Sequence, residues 1–510
     1  MSLTLAPIFS SGMVLQRELP VRVWGQARPA AVVEVGVQGQ TVSCVADKDG
    51  RWECELQPLD TSEGETLEVR AGDELVVLDD VAVGEVFIAA GQSNMEYWMR
   101  YDHMVEAYRL TCDNPRVRFF DQPKCSYPGQ MDDFDYSKVG MWRKATPEDL
   151  DYFSAVGYYF ARGLEVVLDA PVGIVGCNYG GTKSLAWMRP EHARVVQPEQ
   201  TAAFERNLQG LSYEELLSHG RLNPHNDKGY ATWPAWNEFF LPQTPSQEEI
   251  ANFMATVDMS LPAQLHPGLM TPTKDAPGAL FTHMVLPIAG FVARGVLWYQ
   301  GESDDDDAGA QVRHAEALRT IISDWREAWR MPELPFLVVQ LPGFGSWWFL
   351  AGRDWPSIRA GQQQVADEDA HVWLCSIGDM GNKLDIHPKS KKPVGERLAL
   401  LALAHLLGQD LLADAPRCVE ATRDGSKVVL RFNNTGEGLQ VDGNKIEALE
   451  VRCNGAIVPF HAAVPGNRLI LVLEDSANGP LEVRFAQTNW YRINLYNSVG
   501  IPALPFVVTC

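Results

Sequence analysis

Long hydrophobic runs, an excess of basic charge and paired cysteines are what this chain has little of. No stretch of its 510 residues approaches the roughly 20 consecutive apolar residues of a membrane-spanning helix. Residues Met1–Val14 carry neither a basic n-region nor a long apolar run, so no signal peptide is expected. Lysine and arginine number 43 against 66 aspartates and glutamates, a formal net charge of −23. With no basic field to attract phosphates, nucleic acid and anionic membrane are excluded as partners. The nine cysteines are an odd number with no C-x-x-C spacing, which gives neither a disulfide framework nor a zinc signature. Cys44 and Cys54 can fall on neighbouring strands, yet reduced, buried thiols are the expected state. A cytoplasmic location is expected, or a secreted or periplasmic one if a leader has been removed.

What is present is ordinary globular material, 46% hydrophobic and 21% charged. The length exceeds one hydrophobic core, so two or three domains are expected. From Val21 to Ala82 short alternating strands (VRVWG, VVEVGVQ, QTVSCVA, RWECEL, TLEVRA) are separated by turn residues such as Asp49-Gly50. Asp-Gly between alternating runs is a hairpin signal, and no helical period intervenes, so residues 1–82 form a β-sandwich module.

At Val83–Gly91 the pattern changes to a buried apolar strand that runs into Gly91-Gln92-Ser93-Asn94-Met95-Glu96. A serine at such a turn presents its hydroxyl at the carboxyl edge of a sheet. Capping the next helix is the commoner role for serine and must be weighed against it. Downstream, Ser154–Leu168 has helical spacing and Pro171–Cys177 reads as a strand. Asn178-Tyr179-Gly180-Gly181-Thr182 comes next, a turn whose backbone N–H groups suit an anion. Residues 191–279, rich in proline and aromatics (Trp233, Pro234, Trp236, Phe239, Phe240), are an insertion with short helices, near the mouth of the site or at a subunit contact.

Phe291–Gln300 is a further strand leading to Gly301-Glu302-Ser303 and the acidic run Asp304–Asp307. Those acids suit a helix amino terminus better than a metal. Gln300 and Glu302 belong to the same sheet edge as Ser93, where an amide can donate to an oxyanion. After strands at Pro335–Leu341 and His371–Ile377 comes Leu384-Asp385-Ile386-His387-Pro388. Histidine is the side chain best able to act as a base at neutral pH, and a neighbouring acid orients its ring. From Arg417 onward strands return (VVLRF, IEALEVRC, LILVLE, LEVRFA), so residues 411–510 form a second β module.

The blocks Gly91–Glu96, Gly180-Gly181-Thr182 with Trp187, Trp298-Tyr299-Gln300-Gly301-Glu302-Ser303 and Asp385-Ile386-His387-Pro388 occur in that order. Together they resemble the sialate O-acetylesterase family, a branch of the SGNH (GDSL-like) hydrolases related to acetylxylan esterases. Met13–Arg17 and Asp324-Trp325-Arg326 share the resemblance, which spans most of residues 8–407. It implies an α/β fold: a three-layer α/β/α SGNH domain with a parallel sheet over 83–410, flanked by β-sandwich-like modules. It implies Ser93 as nucleophile, His387 as general base and then acid, and Asp385 as the orienting acid. The oxyanion hole would comprise the Ser93 N–H, a glycine N–H (Gly180 preferred, Gly181 next) and the Gln300 amide. Trp187, Trp298, Tyr299 and Glu302 are candidates for substrate binding, the aromatics equally for the core.

Two departures qualify the match. Asp385 stands two residues before His387 where many SGNH enzymes have three, leaving Asp379, Glu302 or a Ser–His dyad as alternatives. Gln300 replaces the asparagine common in the third block. The implied reaction removes O-acetyl groups from a sugar, sialic acid before xylan, with no metal and no cofactor. A metal-dependent phosphoesterase using Asp304–Asp307 and His387, and a non-catalytic glycan-binding protein, are the competing classes. An acidic sugar would call for a lysine or arginine that the sequence does not single out.

Overall fold

A computed structural model describes residues 2–128, 130, 138–218, 236–256, 266, 268, 271–306, 309, 311–347, 350–474 and 479–510. Trp233 and Pro234 of the insertion and Asp307 of the acidic run lie outside the described residues. The chain forms two compact units: Met1–Ser303 with Glu316–Phe336 and Lys389–Gly395, and Asp304–Ala315 with Leu337–Pro388 and Glu396–Cys510.

The first unit begins with the short strands Val21–Gln26, Val32–Val37, Gln40–Val45 and Arg51–Leu56, then β1 (Ser62–Ala71) and β2 (Glu74–Gly91). No linker separates this β-rich start from the parallel sheet, because β2 is one strand of 18 residues that belongs to both. Its first half pairs antiparallel with β1 and alternates between partly buried and exposed. Its second half is buried throughout and becomes the centre of a parallel array with β3 (Asn114–Asp121), β5 (Val172–Asn178) and β6 (Gly295–Tyr299). With β4 (Trp142–Ala145) antiparallel at the edge, the order is β4–β3–β5–β2–β6. Strands covered on both faces read as continuous apolar runs, which is what β5 and the end of β2 show.

Glu85, fully buried at the lower end of β2, takes Arg17 Nε at 2.7 Å, Arg294 Nε at 2.9 Å and Gln16 Nε2 at 3.0 Å. The Met13–Arg17 block is thereby a structural anchor. Two arginines compensate one buried carboxylate, so removing one leaves the charge half-paired. Arg17→Ala should cost about 2 kcal/mol in chemical unfolding.

Cys44 and Cys54 are joined by a disulfide with Cα atoms 5.6 Å apart, which corrects the expectation of reduced thiols. Cys44 pairs with Val33 in one sheet and Cys54 with Val23 in another. The bond ties the two sheets together at a Cα separation typical of disulfides.

The second unit contains strands Phe336–Val339 (from Leu337 on) and Val372–Cys375 and the helix Trp355–Glu368, capped by Asp354. Its carboxyl-terminal part has two four-stranded antiparallel sheets whose inward residues, among them Val428, Leu430, Leu469, Val451, Val483 and Phe485, share one hydrophobic cluster. The Asn489–Tyr491 segment packs inside this unit: Asn489 accepts from Trp355 N at 3.1 Å and the Arg359 guanidinium lies 4.7 Å over the Tyr491 ring. Among the described residues no helix is long and apolar enough to cross a membrane.

Candidate active site

Strand register brings the first unit's candidates to one edge. Gly91 pairs with Asn178 of β5 and with Tyr299 of β6, so the three strands end at the same level. The residues just beyond them are Ser93, the Tyr179-Gly180-Gly181 turn and Gln300. Gly91 has φ +133°, and a Cβ there would sit 2.1 Å from the Tyr299 carbonyl oxygen. Only glycine permits that approach, which is why the strand can turn so sharply into the helix.

That helix, α1, spans Ser93–Glu96. Its N-cap is Gln92, whose side chain makes no capping bond; Ser93 is the first helical residue. The capping role weighed for Ser93 is therefore not its role. Gln92 instead serves the third block, with its Oε1 accepting from Ser303 N at 3.2 Å and its Nε2 donating to Ser303 Oγ at 3.2 Å. Ser93 and Glu96, one helical turn apart, are partly exposed, while Asn94 and Met95 point into the core.

The glycine turn lies against Ser93: a Cβ on Gly180 would be 3.3 Å from Ser93 Cβ. The Gly180 N–H, the oxyanion donor that the family resemblance favours, donates to Glu96 Oε2 at 2.5 Å. An N–H already aimed at a carboxylate is spent, so the Gly181 N–H, which makes no hydrogen bond among the described residues, is the better candidate. Gln300 is fully buried, with its Nε2 3.3 Å from Thr182 O.

Behind Ser93 runs a buried polar chain that the sequence does not reveal. The Lys391 ammonium donates to Asn94 Oδ1, and Asn94 Nδ2 donates to Glu302 Oε1 at 2.6 Å. Lys391 is wholly buried, 4.6 Å over the Tyr97 ring and 5.7 Å from that of Tyr299. Asn94 links the cation to the carboxylate as buried charges require. Glu302 is thus a buried partner of Asn94. Lys124 forms an ion pair with Glu96 and lies 5.3 Å over the half-exposed Trp98 ring.

Trp187 and Trp298, candidates for sugar stacking, are placed in the core with no exposed surface. Their rings meet edge to face at 5.9 Å, and Trp325 meets Trp298 at 5.8 Å. Trp187 Nε1 donates to Thr182 Oγ1 at 3.0 Å. A ring enclosed in this way offers no face to a sugar, and Tyr299 is equally buried. Trp98, next to α1, is an aromatic at this edge that does retain exposure.

In the second unit, Asp385 and His387 are both buried. Asp385 Oδ1 accepts the His387 backbone N–H at 2.8 Å and lies 3.7 Å from Nδ1, beyond hydrogen-bond reach. The carboxylate therefore fixes the loop that carries the imidazole, and the Trp347 ring packs edge-on against it at 5.3 Å. Asp379 is bound by both guanidinium nitrogens of Arg397, at 2.7 and 2.8 Å, which commits it elsewhere. Asp379→Asn should lower the unfolding temperature with kcat retained, whereas Asp385→Ala, which removes the acceptor that holds the His387 loop, should lower kcat by roughly 10²-fold; steady-state kinetics on the two variants checks this. Asp304 pairs with the buried His314 at 3.0 Å, and Asp305 accepts from the Arg353 and Asp354 backbone. These two acids hold the fold, as acids of a structural run do.

Residues 273–404 match the family model described as carbohydrate esterase, sialic acid-specific acetylesterase. A solved carbohydrate acetylesterase from Xanthomonas citri is 26% identical, with each chain 99% covered and a TM-score of 0.76. The chain is a carboxylic ester hydrolase. Within that class it is similar to the sialate O-acetylesterase of Mus musculus, 25% identical over 97% of this chain and 92% of the relative. The Homo sapiens sialate O-acetylesterase is 23% identical, with 98% and 92% covered.

Proposed function

We propose that this protein removes O-acetyl groups from sialic acid by a serine acyl-transfer mechanism. The observation that carries it is the register that ends three parallel strands at one level, with Ser93, the Gly180-Gly181 turn and Gln300 just beyond. The sugar is drawn from the family description and the curated relatives, all of which name sialate. We read the wider architecture as a three-layer SGNH domain flanked by two β-sandwich-like modules.

Ser93 Oγ attacks the acetyl carbonyl while His387 takes its proton. The Ser93 N–H, the Gly181 N–H and the Gln300 amide receive the charge on the carbonyl oxygen. Collapse of the tetrahedral intermediate expels the sugar oxygen, which His387 protonates, leaving an acetyl ester on Ser93. Water, deprotonated by His387, then releases acetate and restores the serine. Serine and histidine supply nucleophile and base, so the scheme needs no cofactor. His387 takes this role from the family resemblance of the Asp385-Ile386-His387-Pro388 block.

Acetate release from O-acetylated sialic acid, compared with acetylated xylan oligosaccharides, tests the proposal. Sialate is expected to be turned over with the higher kcat/KM, and the activity to vanish in Ser93→Ala. A clear preference for xylan would overturn the sugar, and turnover by Ser93→Ala would overturn the mechanism.

A further inference from the structure

We propose that Lys274 is a positioning residue of the oxyanion hole, acting through the peptide that joins Gly180 to Gly181. The inference rests on the proposed esterase function and extends it to a residue in none of the four catalytic blocks. The carbonyl of Gly180 and the N–H of Gly181 belong to one planar trans unit and point in opposite directions. Lys274 Nζ donates to the Gly180 oxygen at 2.5 Å. The Gly181 N–H on the other side of that plane is the turn's uncommitted donor.

The turn is held from both sides. Glu96 Oε2 accepts the Gly180 N–H, and Lys274 holds the Gly180 carbonyl, so an anion fixes the peptide before Gly180 and a cation the peptide after it. A side chain at Gly180 would meet Glu96 Oε2 at 3.0 Å and Ser93 Cβ at 3.3 Å, which keeps the clamp and the nucleophile in van der Waals contact with the turn. A cation bound to a carbonyl draws charge from the amide and strengthens its N–H as a donor. It also fixes the peptide plane before reaction, which is the condition under which such donors stabilise a transition state.

Among the described residues, the hydrogen bond to Gly180 is the only one Lys274 makes, and the Tyr179 ring lies 5.1 Å from its ammonium. The charged groups around it are Asp275, Glu96 and Lys124. Burial holds the ammonium below the ordinary lysine range, Asp275 and Glu96 work against that, and Lys124 adds to it. Lys274 thus loses its proton earlier in an alkaline titration than a solvent-exposed lysine does.

The test is steady-state hydrolysis of a chromogenic acetate ester by the full chain carrying Lys274→Met, Lys274→Gln or Lys274→Arg, with affinity for a trifluoromethyl ketone measured in parallel. Such a ketone adds Ser93 Oγ and places an oxyanion in the hole. Lys274→Met should lower kcat about tenfold or more, short of the 10²–10³ for deleting an oxyanion donor, with KM little changed. Ketone affinity should fall with kcat/KM, and Lys274→Arg should recover part of both. The alkaline fall in wild-type kcat should be missing from Lys274→Met. Lys274→Gln keeps a donor without the charge and should lie between Met and wild type, which preserves the test if the Met variant folds poorly. Wild-type kcat in Lys274→Met, or a loss of kcat with ketone affinity unchanged, would overturn the inference. Acetate hydrolysis that persists in Ser93→Ala would instead overturn the esterase mechanism beneath it.

Discussion

Ser93→Ala is expected to lose at least about 10³-fold in kcat on any acetyl ester while keeping its fold. The expectation comes from the placement of the residue. Ser93 is the first residue of α1, partly exposed, and the capping position belongs to Gln92. Shortening a serine that is neither the cap nor a core residue costs little stability, so thermal unfolding should stay near the wild-type value. A chelator should leave wild-type activity intact, because Asp304 and Asp305 are engaged by His314 and by backbone N–H groups. Activity that dies with chelator would reopen the metal phosphoesterase class.

Trp187→Ala should act in the opposite way, destabilising the protein by about 3–5 kcal/mol as measured by denaturant unfolding. Trp187 has no exposed surface and sits edge to face on Trp298, in a cluster continued by Trp325 and Trp329. Truncation removes the packed ring, leaves a cavity and strips Thr182 Oγ1 of a donor. A sugar-stacking role would show instead as a raised KM with unchanged stability, and that result would return Trp187 to the substrate site.

Much of this was legible in the sequence because buried parallel strands write themselves as apolar runs, and the polar residues just past them must lie at the sheet's edge. Ser93, the Gly180-Gly181 turn and Gln300 were found that way, and strand register then aligned them. The continuity of β2 was not legible. Its alternating first half and uniformly buried second half carry two different periods, so one strand read as the end of one module and the start of another. The neighbouring strands of Cys44 and Cys54 could be seen, but not that their sulfurs meet across two sheets.

Aromatic residues at strand ends read the same whether they face a cleft or a core, and only packing against Trp325, far along the chain, decides for Trp187 and Trp298. The clamp on Gly180 was hidden for a related reason. Glu96 lies within a recognised block, one turn after Ser93, but Lys274 and Lys391 reach this edge from distant segments with no local pattern to mark them.

The central claim, that Ser93 carries the acetyl group during turnover, is tested most directly by covalent labelling with an organophosphonate ester and peptide mass spectrometry of the product. One adduct, on the peptide containing Ser93, with loss of activity in proportion to labelling and no labelling of Ser93→Ala, is the predicted result. An inactivated enzyme labelled at another residue, or full acetylesterase turnover by protein stoichiometrically labelled at Ser93, would contradict it.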